Sequence, residues 1–200
     1  QSGDRILNTM SEKSSDAAEK YLKDLGVNVL KNVRVTSYDG RTISTNTNLV
    51  LETATLIWTA GVQGAMVNGL PASALVERVE RIKVNKFNQV FGFENIFALG
   101  DIASMVSDEY PQGHPQVAQP AMQQGRLLGE NLEKLLKNEK MKPFEYNDKG
   151  SMATIGRNKA VVDLPKYHFH GVFAWFVWMF VHLFSLIGFK NKAIVFMSWA

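Results

Sequence analysis

The sequence predicts a mixed α/β (α+β) chain that closes on an apolar helical segment, and three patterns carry that reading. Ser11, a stripe of Ala17, Ala18, Tyr21, Leu22 and Leu25, and a stop at Gly26 spell an amphipathic helix with its cap. A valine-rich run before Asp39-Gly40 and the run Arg41–Leu51 after it spell a β-hairpin, because Asp-Gly suits the left-handed dihedrals of a tight turn. Residues 171–189 hold no charge, and His182 and Ser185 are the polar breaks in an aromatic, apolar run.

In chain order, the helix runs from Ser11 to Asp24-Leu25, with strands over 27–38 and 41–51 around the Asp-Gly turn. Ala54–Trp58 reads as a short buried strand ending at Thr59-Ala60-Gly61. Ile82–Val90 reads as a strand, and Asn95–Leu99 as a very apolar one that delivers Gly100-Asp101 at its end. Residues 102–114 read as a loop and 115–137 as helical, strongest after Ala121. Pro143 and Gly150 mark a boundary, Met152–Leu164 gives one or two strands, and the membrane-like segment starts at Gly171. There is no internal repeat. Both ends look cut, since the last residues stop inside an apolar run.

Charge is unevenly placed. Of 22 Lys and Arg and 19 Asp and Glu, the stretch from residue 151 to the end holds Arg157, Lys159, Lys166, Lys190 and Lys192 against the single acid Asp163. The basic excess therefore lies where the chain is most apolar and carries Trp175, Trp178 and Trp199. Such a tail suits an anionic membrane surface; nucleic acid would call for bases spread over a polar face. With no cysteine, disulfides, thiolate catalysis and zinc–thiolate sites are excluded within these residues. The length of 171–189 lies at the lower edge for a membrane span, so the segment could span, lie in the interface or form a core helix. Trp175 and Trp178 near one end, with Lys190 and Lys192 at the other, favour the interface.

Two constellations could carry chemistry. Asn95–Asp101 brings a glycine, which admits close backbone approach, and then a carboxylate able to accept hydrogen bonds from sugar-like hydroxyls; the plain alternative is a turn closed by an Asx cap. Ala118-Gln119-Pro120-Ala121-Met122-Gln123-Gln124-Gly125 puts two amides four apart on one helix face, beside small residues that let backbone lie against a flat ring; its plain alternative is a helix start with solvated glutamines. No two of the 15 glycines stand at G-x-G spacing, so the dinucleotide fingerprint G-x-G-x-x-G occurs nowhere in the chain, and neither does the Walker phosphate loop.

Taken in order, these segments resemble type II NADH:quinone oxidoreductases. Thr59-Ala60-Gly61-Val62 resembles that family's strand-end contact with FAD, and Ile96–Asp101 its second FAD motif. Ala118–Gln123 matches its A-Q-x-A-x-Q pattern at the flavin and quinone site, and Ala153–Arg157 with the aromatic tail resembles its membrane-anchoring part. The resemblance implies a partial FAD/NAD(P)-binding fold with a C-terminal membrane-associated helical segment. Residues 1–50 would end the NADH domain, 51–145 would form the second half of the FAD domain, and 146–200 the anchor.

It further implies FAD contacts at Thr59, Ala60, Gly61, Gly100, Asp101 and Ala118, and quinone contacts at Gln119, Ala121 and Gln123. NADH and quinone would be the substrates, with no catalytic side chain, metal or nucleic acid involved. The protein would sit peripherally on the cytoplasmic face of a bacterial inner membrane. Without the fingerprints, these residues by themselves are expected to bind no FAD or NADH and to oxidise no NADH. Open strand edges invite pairing with a second copy, a homodimer, and the tail is expected to be buried. The competing readings are a sulfide:quinone type of flavoprotein and a non-enzymatic membrane-docking module.

Overall fold

The structure is a computed structural model and describes residues 1–59, 61–65, 67–76, 80–186 and 188–199. Two compact units emerge, one from Gln1–Ile57 with Lys149–Ala200 and one from Trp58–Asp148. The sequence segments 1–50 and 146–200 thus fall almost wholly in the first unit, and 51–145 mostly in the second.

In the first unit, helix α1 (Glu12–Asp24) starts where expected. The Ser11 hydroxyl accepts from Ser14 N at 3.3 Å, and Gly26 follows the helix with φ +80°. Strands β1 (Val35–Tyr38), β2 (Thr42–Thr45) and β3 (Val50–Glu52) form an antiparallel meander. At its hairpin the Asp39 carboxylate accepts from Arg41 N and Thr42 N at 2.8 and 2.7 Å, and Gly40 takes φ +100°. Residues 27–34 stay outside the strands. The expected second strand over 41–51 divides in two, because Asn48 turns the chain at φ +61°.

A second meander, β7 (Ser151–Thr154), β8 (Ala160–Asp163) and β9 (His168–Gly171), carries the C-terminal part. All four residues of the central strand β8 are buried. Val161 packs with Met10, Ala18 and Ile155 beneath α1, whereas Ala160 and Val162 pack with Ala174, Trp175 and Met179 of helix α3 (Val172–Ser185). Alternate side chains of one strand thus meet different helices, which is the period-2 geometry of a sheet covered on both faces. Sequence reading found β7 and β8 but missed β9, where polar His168 and His170 hide the strand.

The apolar tail is two helices. Leu186 is extended and Gly188 takes φ +86°, so α3 ends before α4 (Phe189–Trp199) begins. Among the described residues no helix is long and apolar enough to cross a membrane. The expectation of a buried tail holds for one face alone. Ala174, Trp175 and Met179 are buried, but Phe173, Phe176, Phe180 and Phe184 are exposed along the other face of α3.

In the second unit, β4 (Leu75–Val76) pairs antiparallel with β5 (Arg81–Val84), which pairs in parallel with β6 (Ala103–Met105). Ala74, Ile82, Val84, Val90, Ala103, Met105 and Phe144 form its core. Three expectations fail here. Ala54–Trp58 is not a strand, and Ile57 and Trp58 are 80% and 61% exposed; apolarity signals a need for cover but supplies no pairing partner. The expected strand over 82–90 turns back after Val84, because the Asn85 side chain accepts from Phe87 N and Gln89 N. Asn95–Leu99 holds an isolated bridge, Gln89 to Phe97, and the strand is β6, inside the expected loop. Gly100-Asp101 therefore opens a short 3-10 turn that leads into a strand and does not close one.

Candidate functional site

The site is built where that 3-10 turn, Gly100–Ile102, meets helix α2 (Ala118–Leu136). Gly100 has φ +71°, and a Cβ placed there would lie 3.2 Å from Ala121 Cβ. Both the backbone conformation and the contact require glycine. Gly100 N donates to Gln124 Oε1 at 2.7 Å, and Gln116 Nε2 donates to the Asp101 carbonyl at 3.1 Å, so the turn is tied to α2 and to its approach. Gly100→Ala is expected to destabilise the fold by about 1–2 kcal/mol through its left-handed φ alone, read as a lower denaturant midpoint. An unchanged midpoint would show that neither constraint operates.

Helix α2 begins bare. Val117 at its N-cap offers no side-chain acceptor, and the first turn holds no acid. Its leading N–H groups and the positive end of its dipole are therefore available to an acceptor with partial negative charge. Asp101 and Ala118 are exposed, and Gln119 and Ala121 are half-buried. The structure thus brings Gly100 and Ala121 together and holds Asp101 to the approach of α2. Thr59 and Gly61 are exposed on the irregular segment before Gly64. Gly64 is the residue there that needs its missing side chain: a Cβ would overlap the Glu80 carbonyl and lie 3.5 Å from Ile102 Cγ1. Ala60 lies outside the described residues.

Gln123 has a definite task in this structure. Its Nε2 donates to the Asn147 carbonyl at 2.9 Å while its Oε1 accepts from Asn147 N at 3.0 Å. Eight residues on, Asn131 repeats the pattern with Lys142, at 2.9 and 2.8 Å. The two amides hold the extended chain after α2 as a neighbouring strand would, satisfying its backbone groups pairwise.

Sequence reading missed Gln124 and Asn131, which are buried, and Arg81 and His114. Pro120, Gln124, Leu127 and Asn131 follow the helical period of a buried face, so an amide in a core position was the available signal. Arg81 donates to the Ala103 carbonyl and, at 3.1 Å, to the His114 carbonyl, pinning both β6 and the approach to α2. Burial pushes its guanidinium below the usual value, and Asp101 opposes that shift. Burial and the Arg81 charge likewise lower His114, whose ring lies 4.7 Å from Tyr110, 5.3 Å from Phe144 and 5.4 Å from Tyr146. Burial pushes the Tyr146 phenol up to about 12. Among the described residues no cluster of His, Cys, Asp and Glu could hold a metal.

Residues 1–125 match the family model described as pyridine nucleotide-disulphide oxidoreductase, and residues 149–200 match the NDH2 C-terminal domain. The type II NADH:quinone oxidoreductase Ndh of Mycobacterium tuberculosis is 33% identical over 204 residues, spanning 97% of this chain and 43% of that protein. A type II NADH:quinone oxidoreductase of Haemophilus influenzae is 28% identical, over 82% of this chain and 37% of that protein. The structure of NDH2 from Plasmodium falciparum in complex with NADH aligns with a TM-score of 0.86 at 20% identity, over 100% of this chain and 56% of that one, a likeness of fold. The chain spans about two fifths of the length of the curated relatives it matches. The mixed α/β fold and the resemblance read from the motifs are borne out.

Proposed function

The chain belongs to the pyridine nucleotide-disulphide oxidoreductase family, and from that premise we propose that it forms the C-terminal part of a flavoprotein that passes electrons from NADH through FAD to a membrane quinone. One observation carries the reading: the family match and the NDH2 C-terminal domain match follow each other in one chain, with the A-Q-x-A-x-Q motif at the end of the first. A sulfide:quinone enzyme would need reactive cysteines; residues 1–200 hold none, and the cysteine content of the full-length protein decides that rival. Residues 1–50 would finish the NADH domain, 51–145 the FAD domain, and 146–200 the anchor.

The residues at the α2 junction fit one wall of an FAD site. Gly100, Ala118 and Ala121 are small, the start of α2 is uncapped, and the Asp101 carboxylate is exposed beside it. When bound, FAD would supply the redox chemistry, taking hydride from NADH and yielding two electrons to quinone. Asp101 would accept hydrogen bonds from the cofactor's hydroxyls, and Thr59, Ala60 and Gly61 would contact the cofactor as the family motif implies. The α2 start would favour negative charge on a ring placed against it. Gln119 would orient a quinone carbonyl over Ala121. Gln123 would do so only by exchanging its pair with the Asn147 backbone.

The test is the full-length protein. It should be yellow, bleach on adding NADH and recover colour on adding quinone; a colourless protein would leave a docking module as the better reading. Gln119→Ala should slow reoxidation by quinone up to about tenfold, the worth of one hydrogen bond, with reduction by NADH unchanged. Stopped-flow traces showing equal loss in both half-reactions would remove Gln119 from the quinone site. The present residues alone should show no NADH oxidation.

Lipid contact follows from the same proposal. The exposed phenylalanines of α3 sit opposite the face that covers the β7–β9 sheet. Peripheral attachment to the cytoplasmic face of a bacterial inner membrane, as a homodimer, would cover them. Phe176→Ser or Phe180→Ser should weaken vesicle binding about tenfold each, from some 1.5 kcal/mol of aromatic burial, while the buried face keeps the fold. Vesicle sedimentation that ignores both changes would place the anchor elsewhere.

A further inference from the structure

A cleft of about 740 Å³ opens between α1 and β9, wholly inside the first unit, and Lys13, Asp16, Lys20, Tyr21, His168 and His170 stand along its walls. We propose that this cleft is a binding site for a phosphate group, carried by a phospholipid headgroup or by a soluble phosphate, and held between the two lysines and the two histidines. Its size falls within the roughly 300–1,000 Å³ of small-ligand sites.

The two sequence periods assemble the walls. Lys13, Asp16 and Lys20 follow one another at three and four residues, so they share one face of α1. His168 and His170 stand two apart on β9, so they share one face of the strand. His168 Nδ1 is paired with Asp163 at 2.9 Å, and Tyr21 Oη lies 3.0 Å from His170 Nδ1. Each imidazole is therefore oriented through Nδ1, and its Nε2 has no partner among the described residues. On an imidazolium that nitrogen donates, and a phosphate oxygen is a strong acceptor for it.

Charge on the helix points the same way. Lys23 and Lys31 share Glu19 at 2.7 and 2.9 Å, and Lys159 lies 4.0 Å from Asp24. Lys13 and Lys20 differ from these. Among the described residues neither ammonium has a hydrogen-bond or ion-pair partner, although Asp16 stands on the same face between them. One acid against two lysines and two imidazoles leaves the cleft with an excess of positive charge. The two lysines start about 10 Å apart along the helix axis, and their flexible stems can close on one anion while the imidazoles donate from the opposite wall. A phosphate group has more acceptor oxygens than a carboxylate and can serve both walls at once.

In the experiment the full-length protein is titrated with inorganic phosphate and with dihexanoyl phosphatidic acid below its micellar concentration, and binding is followed by phosphorus NMR. Both should bind saturably and compete with each other. Lys13→Gln and Lys20→Gln should each weaken binding about two- to fivefold, the effect of one exposed ion pair, and Lys20→Arg should keep most of it. Asp16→Asn should tighten binding by a similar factor. Lys23→Gln, whose ammonium is already taken by Glu19, should leave it unchanged. A lipid affinity roughly tenfold above that of inorganic phosphate would assign the group to a bilayer headgroup, and equal affinities would assign it to a soluble phosphate. Equal losses from Lys13→Gln, Lys20→Gln and Lys23→Gln would mean diffuse attraction and overturn the site. Saturable binding that ignores Lys13 and Lys20 would lie elsewhere in the protein and overturn it as well, as would no binding of either compound at about millimolar concentration.

Discussion

Asp163→Ala is expected to lower the unfolding free energy by about 3 kcal/mol, more than any other single change to the C-terminal sheet. The carboxylate ends β8 and is 8% exposed. It accepts from Ser11 N at 2.5 Å, Ser11 Oγ at 2.9 Å and Ser14 Oγ at 2.6 Å, and pairs with His168 Nδ1 at 2.9 Å. One side chain therefore holds the start of α1 to the sheet and fixes the start of β9. Alanine strands all of these groups, and buried donors without acceptors are costly. The Asp163→Asn variant keeps the size but turns one acceptor into a donor facing other donors, so it should cost most of the same amount. Denaturant midpoints at constant slope read the effect directly; a loss below about 1 kcal/mol for the alanine variant would mean that α1 docks by apolar contact alone.

The same group makes stability depend on acid. Burial pushes the Asp163 carboxyl up, but the bonds from Ser14, Ser11 and His168 outweigh burial and hold it below its ordinary value of 3.8. A carboxyl lowered on folding contributes stability that is full above its unfolded value and is lost as pH falls through the folded one. The parent chain should therefore lose stability steeply below about pH 4, and Asp163→Asn should flatten that limb. Parallel acid limbs in the two proteins would assign the acid sensitivity to other carboxylates.

Legibility in the sequence followed the range of the forces involved. Helix α1 and the Asp39-Gly40 hairpin were readable because their signals are local: a hydroxyl cap, an apolar stripe, an Asx turn. Ala54–Trp58 and Asn95–Leu99 were misread because apolar runs report a demand for cover, while strand identity depends on a neighbour distant in sequence. Strand β9 was invisible because His168 and His170 face α1, not a hydrocarbon core. At the candidate site, Gly100, Asp101 and the start of α2 were legible as a motif. The supports were not: Gln124 on Gly100, Arg81 on two carbonyls and Gln123 on Asn147 are polar groups aimed at backbone far along the chain. A polar residue at a core position of a helical period is the signal that would have exposed Gln124 and Asn131.

Asp101→Ala in the full-length protein is expected to weaken FAD retention by about ten- to a hundredfold, from the 1.5–3 kcal/mol typical of hydrogen bonds to a charged group. The site geometry makes this a clean test. The turn is held through backbone, by Gly100 N on Gln124 and by the Asp101 carbonyl on Gln116, so removing the carboxylate leaves both ties in place. The side chain is exposed, and exposed substitutions usually move stability by no more than about 0.5 kcal/mol. Loss of flavin with an unchanged melting profile of the apoprotein would therefore report cofactor contact, whereas loss of both would report a structural role. Asp101→Asn, which keeps one acceptor but not the charge, should fall between wild type and alanine. The readout is flavin absorbance per protein after dilution and gel filtration. If Asp101→Ala keeps its full flavin complement through that procedure, the carboxylate faces solvent in the holoprotein and the wall assigned to Gly100, Asp101 and Ala118 is misplaced.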